Sequence, residues 1–223
     1  MQDSRPQILI ADDHVLFAEA LRVLLEKSYR VADTVGDGRA LLSAAARLNP
    51  DVIVVDIGMP LLNGLDAAQQ IRKQLPKVKI VFLTMQDNPN LAAAALELGS
   101  VAFVLKHSAG SELLKAIEEV LHGKSYLTPK LRSDDWLTMK RRARQFTKEL
   151  SARQRGIVQM YAEGRPAKEI AYLLNLSQKT VEFHKRHIMD AFNLQSNADL
   201  VLFALKQGLI VLDPAPATKK NPS

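Results

Sequence analysis

The sequence predicts an α/β domain followed by an all-α domain, and three observations carry that prediction. Short apolar runs alternate with helical patterns up to about residue 122, whereas only capped helical patterns remain after residue 148. The 223 residues exceed the usual span of one compact domain, so each half has length enough for a core of its own. Charge also divides: residues 1–125 carry 13 Lys+Arg against 15 Asp+Glu, and residues 126–223 carry 17 against 9. The basicity therefore belongs to the second half, which points to a polyanionic partner for it.

In the first half, strands are expected at Ile8 to Ala11, Arg30 to Val35, Val52 to Val55, Ile80 to Leu83 and Val101 to Leu105. Helices are expected at Val15 to Lys27, Gly38 to Leu48, Leu65 to Gln74, Asn90 to Leu98 and Ser111 to His122. A β-α unit repeated five times implies a doubly wound, five-stranded parallel sheet with right-handed connections and helices on both faces. No GxGxxG follows the first strand, so a dinucleotide site is unsupported.

Four of these runs end on a polar residue of a particular kind: Asp12 and Asp13, Asp56, Thr84, and Lys106. Ligands of open parallel sheets sit outside the carboxyl ends of the strands. Three carboxylates gathered there repel one another unless a divalent cation lies among them, and hard oxygen ligands suit Mg2+. With the hydroxyl of Thr84 and the ammonium of Lys106 facing an anion, the set describes a site that receives a phosphoryl group.

The absence of cysteine excludes disulfide scaffolds and thiolate metal sites. The polar stretch Met1 to Pro6 lacks the pattern of a leader, and no apolar run reaches membrane-spanning length. The expectation is a cytoplasmic protein with no membrane partner.

Asp12-Asp13, Val54-Val55-Asp56-Ile57-Gly58-Met59-Pro60 with Asn63-Gly64 behind it, Thr84, and Phe103 three residues before Lys106 resemble the receiver domain of two-component response regulators. The resemblance spans residues 7–122 and implies a flavodoxin-like fold. It implies that Asp56 is the phospho-acceptor. Asp13, Asp56 and the carbonyl of Gly58 would ligate Mg2+, Asp12 acting mainly through bound water. Lys106 would pair with a phosphoryl oxygen, Thr84 would move to the phosphoryl group, and Phe103 would rotate into the vacated space. A plain core role for Phe103 stands beside that reading, as for most aromatic residues on strands. Haloacid-dehalogenase-like phosphatases also use a strand-end aspartate with Mg2+. They need a second aspartate two residues on, where this chain has Gly58.

In the second half, Ser151-Ala152-Arg153-Gln154 is a capping box opening a helix that Gly164 stops. Lys168 to Leu174, a turn at Asn175 to Ser177, and Gln178 to Phe192 follow in helix-turn-helix order. At about 100° per residue, Val181, Ile188 and Phe192 share one face of the longer helix. Lys179, Glu182, Phe183, Arg186 and Asp190 share the opposite one. A phenylalanine among charges on a second helix suits a major groove, where apolar contact reads a thymine methyl. His184 and His187 have no carboxylate or cysteine at a matching position and are not read as metal ligands.

Leu150 to Arg153, Lys168 to Ala171, Leu176-Ser177, Thr180 to His184 and Ile188 resemble the LuxR-type DNA-binding domain. Together with the receiver this places the chain among NarL/FixJ-type response regulators. Gln154, Ala191-Phe192 and Asn193 depart from the usual Glu, Lys-Leu and Gly. The expected organisation is a receiver at 1–125, a linker at 126–147 containing Trp136, a four-helix DNA-binding domain at 148–212, and a disordered tail at 213–223. Expected partners are double-stranded DNA, a sensor histidine kinase and a second copy of the chain. DNA contact is assigned to Lys179, Thr180, Glu182, Phe183, His184 and Arg186, and pairing on DNA to Leu200, Val201 and Ala204. Two alternatives remain open: DNA binding independent of phosphorylation, and a Mg2+-dependent phosphotransfer enzyme.

Overall fold

The computed structural model describes residues 4–99, 101–131 and 150–210. Most of the expected linker, Trp136 included, and the expected tail lie outside these residues. The first half has the order β1 (Gln7–Ala11), α1 (Val15–Leu25), β2 (Arg30–Val35), α2 (Gly38–Leu48), β3 (Val52–Asp56), α3 (Gly64–Gln74), β4 (Lys79–Thr84), α4 (Pro89–Leu96), β5 (Val101–Leu105) and α5 (Ala109–Leu121). Each expected strand and helix forms. The strands β1, β3, β4 and β5 are buried along nearly their whole length, which is why they read as continuous apolar runs without polar alternation.

All strand pairs are parallel, in the order β2-β1-β3-β4-β5-β6. The sixth strand corrects the expected count of five. β6 (Tyr126–Leu127) pairs with Ala102 and Phe103 of β5, and Leu131, in the turn that follows, is buried in the sheet core. Tyr126 and Leu127, expected at the start of a linker, are thus part of the sheet. Two residues are too short a run to show a period, so the strand had no sequence signature. Thr128 fixes this return: its N–H donates to the Phe103 carbonyl and its hydroxyl to Glu112.

Successive side chains along each strand point to opposite faces, so the core divides in two. Leu9, Ile53, Val55, Ile80, Phe82 and Phe103 lie in the core that includes residues of α2, α3 and α4. Ile8, Ile10, Val52, Val54, Val81 and Val104 lie in the other, with residues of α1 and α5. The chain reverses its winding between β1 and β3, which opens a crevice at their carboxyl ends.

The second half comprises α6 (Ala152–Ala162), α7 (Ala167–Leu174), α8 (Gln178–Ala191) and α9 (Asn197–Lys206). Ser151 and Gln154 form both bonds of the capping box, and Gly164 ends the helix at φ +82°. Asn175 takes the left-handed conformation between α7 and α8, and Ser177 caps α8 by accepting from the Thr180 N–H. Val181 and Ile188 are fully buried, as their shared face predicts, while Phe192 is half-buried with its ring 4.6 Å from that of Phe203. No described helix is long and apolar enough to cross a membrane.

Candidate functional site

The crevice gathers the acidic residues expected there. Asp12 and Asp56 are 3% and 4% exposed, and the Nζ of Lys106, brought by the end of β5, lies 2.8 Å from an Oδ2 of each. Lys106 also sits 4.9 Å above the ring of Phe17 from α1. The loop after β3 starts by turning its Gly58 N–H back onto Asp56 Oδ1 at 3.2 Å. Gly64 closes that loop against the end of β3. A Cβ there would stand 2.0 Å from the Asp56 carbonyl oxygen, so the position accepts no side chain.

Two buried carboxylates against one ammonium leave the crevice short of positive charge. Burial raises the pKa of Asp56 and the nearby Asp12 adds to this, with Lys106 offsetting part of it. Burial alone would lower Lys106, but Asp56 and Asp12 outweigh it and hold the ammonium above its ordinary value. Asp12 Oδ2 touches the ammonium yet accepts no well-aligned hydrogen bond. Carboxylate oxygens of Asp12, Asp13 and Asp56 and a nitrogen of His14 lie within 4.8 Å of one another. This set of hard oxygens, buried at Asp12 and Asp56, open to solvent at Asp13 and with Asp12 Oδ2 lacking a donor, fits a hard divalent cation. His14, which the sequence reading left out, is tied to Asp13 by a 2.9 Å contact from Nδ1.

Thr84 is 1% exposed, and its hydroxyl accepts from the Gln86 N–H at 3.1 Å. Phe103 is fully buried beside its register partner Phe82, in the position of a core residue.

In the second half, Lys179, Glu182, Phe183 and Arg186 are exposed on α8, with Phe183 62% exposed; Thr180 and His184 are half-buried. The Phe183 ring lies 5.9 Å from that of His184 and 6.3 Å from that of His187, so the three make one aromatic ridge among the charges. Glu182 is held by the Gln178 amide at 2.7 Å. Lys185 is drawn away to Asn197 and the Tyr161 ring.

The surface expected for pairing changes. Leu200 and Ala204 are 2% and 0% exposed and pack with Leu150, Val158, Ile188 and Leu209 in the core of their own domain. Val201 is half-buried, and its neighbour Leu202 is 55% exposed. The run 200–205 is apolar all round because α9 crosses a small domain that wraps much of it, which sequence alone does not separate from a free face.

The two halves are joined by a buried polar network absent from the sequence reading. The Arg155 guanidinium forks onto the Asp66 carboxylate, with Nε at 2.8 and 3.0 Å from the two oxygens. Gln159, 1% exposed, accepts from the Asn63 N–H at 3.0 Å and donates to the Met59 carbonyl at 2.8 Å. Nearby, the end of α9 lies against α4, where a Cβ on Gly208 would meet Leu91 at 2.8 Å.

Comparison with known proteins agrees with this division. Residues 8–118 match the family described as response regulator receiver domain, and residues 148–204 match bacterial regulatory proteins of the luxR family. The oxygen regulatory protein NreC of Staphylococcus carnosus is 33% identical over 214 residues, covering 92% of this chain and 99% of that protein. The transcriptional regulatory protein MctR of Rhizobium johnstonii is 30% identical over 210 residues, covering 92% and 97%. Among solved structures, RcsB from Salmonella enterica serovar Typhimurium, bound to the rprA promoter with the phosphomimetic BeF3-, is similar with a TM-score of 0.60 and 27% identity, covering 89% of this chain and 98% of that one. An acidic crevice in a parallel sheet, a helix-turn-helix domain behind it and relatives aligned along nearly their whole length give one assignment: the chain belongs to the response regulators that join a receiver domain to a luxR-family DNA-binding domain.

Proposed function

We propose that Asp56 accepts a phosphoryl group and that this modification controls promoter binding through α8. The observation that carries the proposal is the crevice itself, where Asp56 is buried beside Lys106 and the neighbouring Asp12 Oδ2 lacks an aligned donor. An Asp56 oxygen attacks the phosphorus of the donor, forming an acyl phosphate as the donor's leaving group departs with the bonding electron pair. Asp12, Asp13, Asp56 and the Gly58 carbonyl would hold Mg2+, which offsets the charge that collects as the phosphoryl group arrives. Lys106 moves its ammonium from the carboxylates to a phosphoryl oxygen, and Thr84 turns its hydroxyl toward the same group. Phe103 then fills the space that Thr84 leaves. The chain acts as acceptor and regulator, with catalysis confined to its own Asp56. A sensor histidine kinase is the proposed donor, and the cytoplasm the proposed compartment.

On DNA, α8 enters the major groove. Lys179, Thr180 and Arg186 supply contact to phosphates, while Glu182, Phe183, His184 and Arg186 face base edges. Two copies paired through Val201 and Leu202 would set their recognition helices on half-sites about 34 Å apart in an inverted repeat. The aligned RcsB structure, with promoter DNA and a phosphomimetic together, supports linking the two activities.

The test is intact-mass measurement of the full chain after incubation with Mg2+ and a small acyl phosphate. One acid-labile phosphoryl adduct is expected in the wild type and none in Asp56→Asn. An adduct undiminished in the variant refutes the assignment.

A further inference from the structure

We propose that Gln159, a residue of the DNA-binding domain, is a positioning residue for the phospho-acceptor loop of the receiver and restrains it while the domains are docked. The inference rests on Asp56 being the acceptor. The loop in question runs from Ile57 to Asn63, between β3 and α3. At its start the Gly58 N–H is bonded to Asp56 Oδ1. At its far end the Gly64 N–H donates to the Ile57 carbonyl, and Gly64 itself stands against the Asp56 backbone. Anything that shifts the loop is thus felt at Asp56 and at the Gly58 carbonyl.

Gln159 grips this loop from outside the receiver. Its carboxamide spans the turn, accepting from the Asn63 N–H and donating to the Met59 carbonyl, and its Nε2 also donates to Glu163 at 2.8 Å. Between these two anchor points Leu61 takes φ +67°, a left-handed conformation that is strained for a residue with a branched side chain. Within the receiver the Leu62 N–H donates to the Pro60 carbonyl around this turn, and the two bonds to Gln159 add a restraint that exists only when the second domain is in place. Arg155 on Asp66 fixes the register of the contact, because Asp66 is in turn bonded by the Asn63 amide at 2.8 Å.

A coupling free energy acts equally in both directions. If loading the acceptor site releases the DNA-binding domain, then the docked domain must weaken loading by the same factor. Gln159 thereby sets how readily Asp56 is loaded although it touches no reacting atom.

The experiment uses full-length protein titrated calorimetrically with Mg2+ and beryllofluoride, a stand-in for the phosphoryl group. Gln159→Ala removes both bonds to the loop, together with the one to Glu163. Gln159→Glu keeps the volume and an acceptor for the Asn63 N–H but loses the donor to the Met59 carbonyl. Both variants are expected to bind the stand-in about 5- to 20-fold more tightly than wild type, within the usual range of coupling between sites. A residue that only stabilised its own domain would lower the melting temperature and leave this affinity unmoved. In the wild type, loading should speed hydrogen exchange of the Asn63 amide, a readout that needs no variant. Unchanged or weaker binding in the folded variants, or Asn63 exchange indifferent to loading, overturns the proposal. Wild type that binds no beryllofluoride, or Asp56→Asn that binds it equally well, overturns the acceptor reading and this inference with it.

Discussion

The acidic crevice and the domain junction are both polar clusters with buried members, set at the two ends of the loop between β3 and α3, and they differ in how fully their groups are bonded. In the crevice, Asp12 and Asp56 share one ammonium, Asp12 Oδ2 lacks an aligned donor, and burial raises the pKa of Asp56. At the junction, the Asp66 carboxylate meets a guanidinium fork and a donor from the Asn63 amide, the Asn63 Oδ1 accepts in turn from the Asp66 N–H, and both ends of the Gln159 amide are paired. Buried polar groups left short of partners make a place for an added cation and anion. Fully paired ones fix a single arrangement of what they join. On the proposed reading, the two ends of one loop then carry a loading site and a lock.

The largest test of that contrast is Arg155→Ala. It strands the Asp66 carboxylate, which is 2% exposed, without its countercharge, and breaking such a pair costs about 3–5 kcal/mol. The cost should fall on docking, because the pair joins domains with separate cores. Sedimentation should show a less compact chain, with the receiver's own unfolding transition preserved. A compact chain with one unaltered transition would mean that apolar contact around Leu91 and Gly208 holds the junction by itself. Next in size is Gly64→Ala, on the loop side of the crevice. Its Cβ would overlap the Asp56 carbonyl, and backbone displacement of that kind costs about 1–3 kcal/mol in urea unfolding. An unchanged midpoint would show that the loop is slack and so a poor conductor between the clusters.

A smaller change, of opposite sign, is expected at the loading site. Asp56→Asn removes a buried charge that its surroundings disfavour, and should stabilise the metal-free receiver by on the order of 1 kcal/mol. The folded pKa of Asp56 is raised, so folding takes up a proton where the unfolded chain has lost it. Its contribution is present below the unfolded value and is lost as pH rises through the folded one. The gap between variant and wild type should accordingly close in acid and open upward from the ordinary carboxylate range. Mg2+ should reverse the order: at 100 times its dissociation constant it adds about 2.7 kcal/mol to the protein that binds it. A wild type that is more stable than the variant without metal would contradict the idea of an under-bonded crevice.

Sequence was most informative where one residue type at a strand end implies chemistry. Asp12, Asp13, Asp56, Thr84 and Lys106 were legible because parallel strands are apolar throughout and end abruptly, so a polar residue at the boundary stands out. The caps at Ser151 and Ser177 were legible because they depend on neighbours three residues away. What escaped depended on distant partners. Tyr126–Leu127 becomes a strand only because β5 offers an edge, and Gln159 lies amid Ile157, Val158 and Met160 with nothing local to name Asn63 as its partner. The inward turn of Leu200 and Ala204 was hidden for a related reason: an all-apolar helix shows no face until its neighbours are placed.

The smallest effect on stability is expected from Phe183→Ala, and it separates exposure by design from exposure by accident. The ring is 62% exposed and meets only His184 and His187 among the described aromatic residues, so its loss should change unfolding by less than about 0.5 kcal/mol. Its apolar surface suits a thymine methyl, and losing one specific base contact typically costs about 1–3 kcal/mol. Selection of bound fragments from a random pool should then give relaxed preference at one position of each half-site, with the salt dependence of binding unchanged because no phosphate contact is lost. Lys179→Ala makes the complementary control: it should weaken all sequences alike and flatten the salt dependence while leaving the selected motif intact. If instead Phe183→Ala leaves the motif unchanged and Lys179→Ala alters it, the roles along α8 are exchanged. The aromatic ridge would then lie outside the groove, with the reading face turned toward the start of the helix.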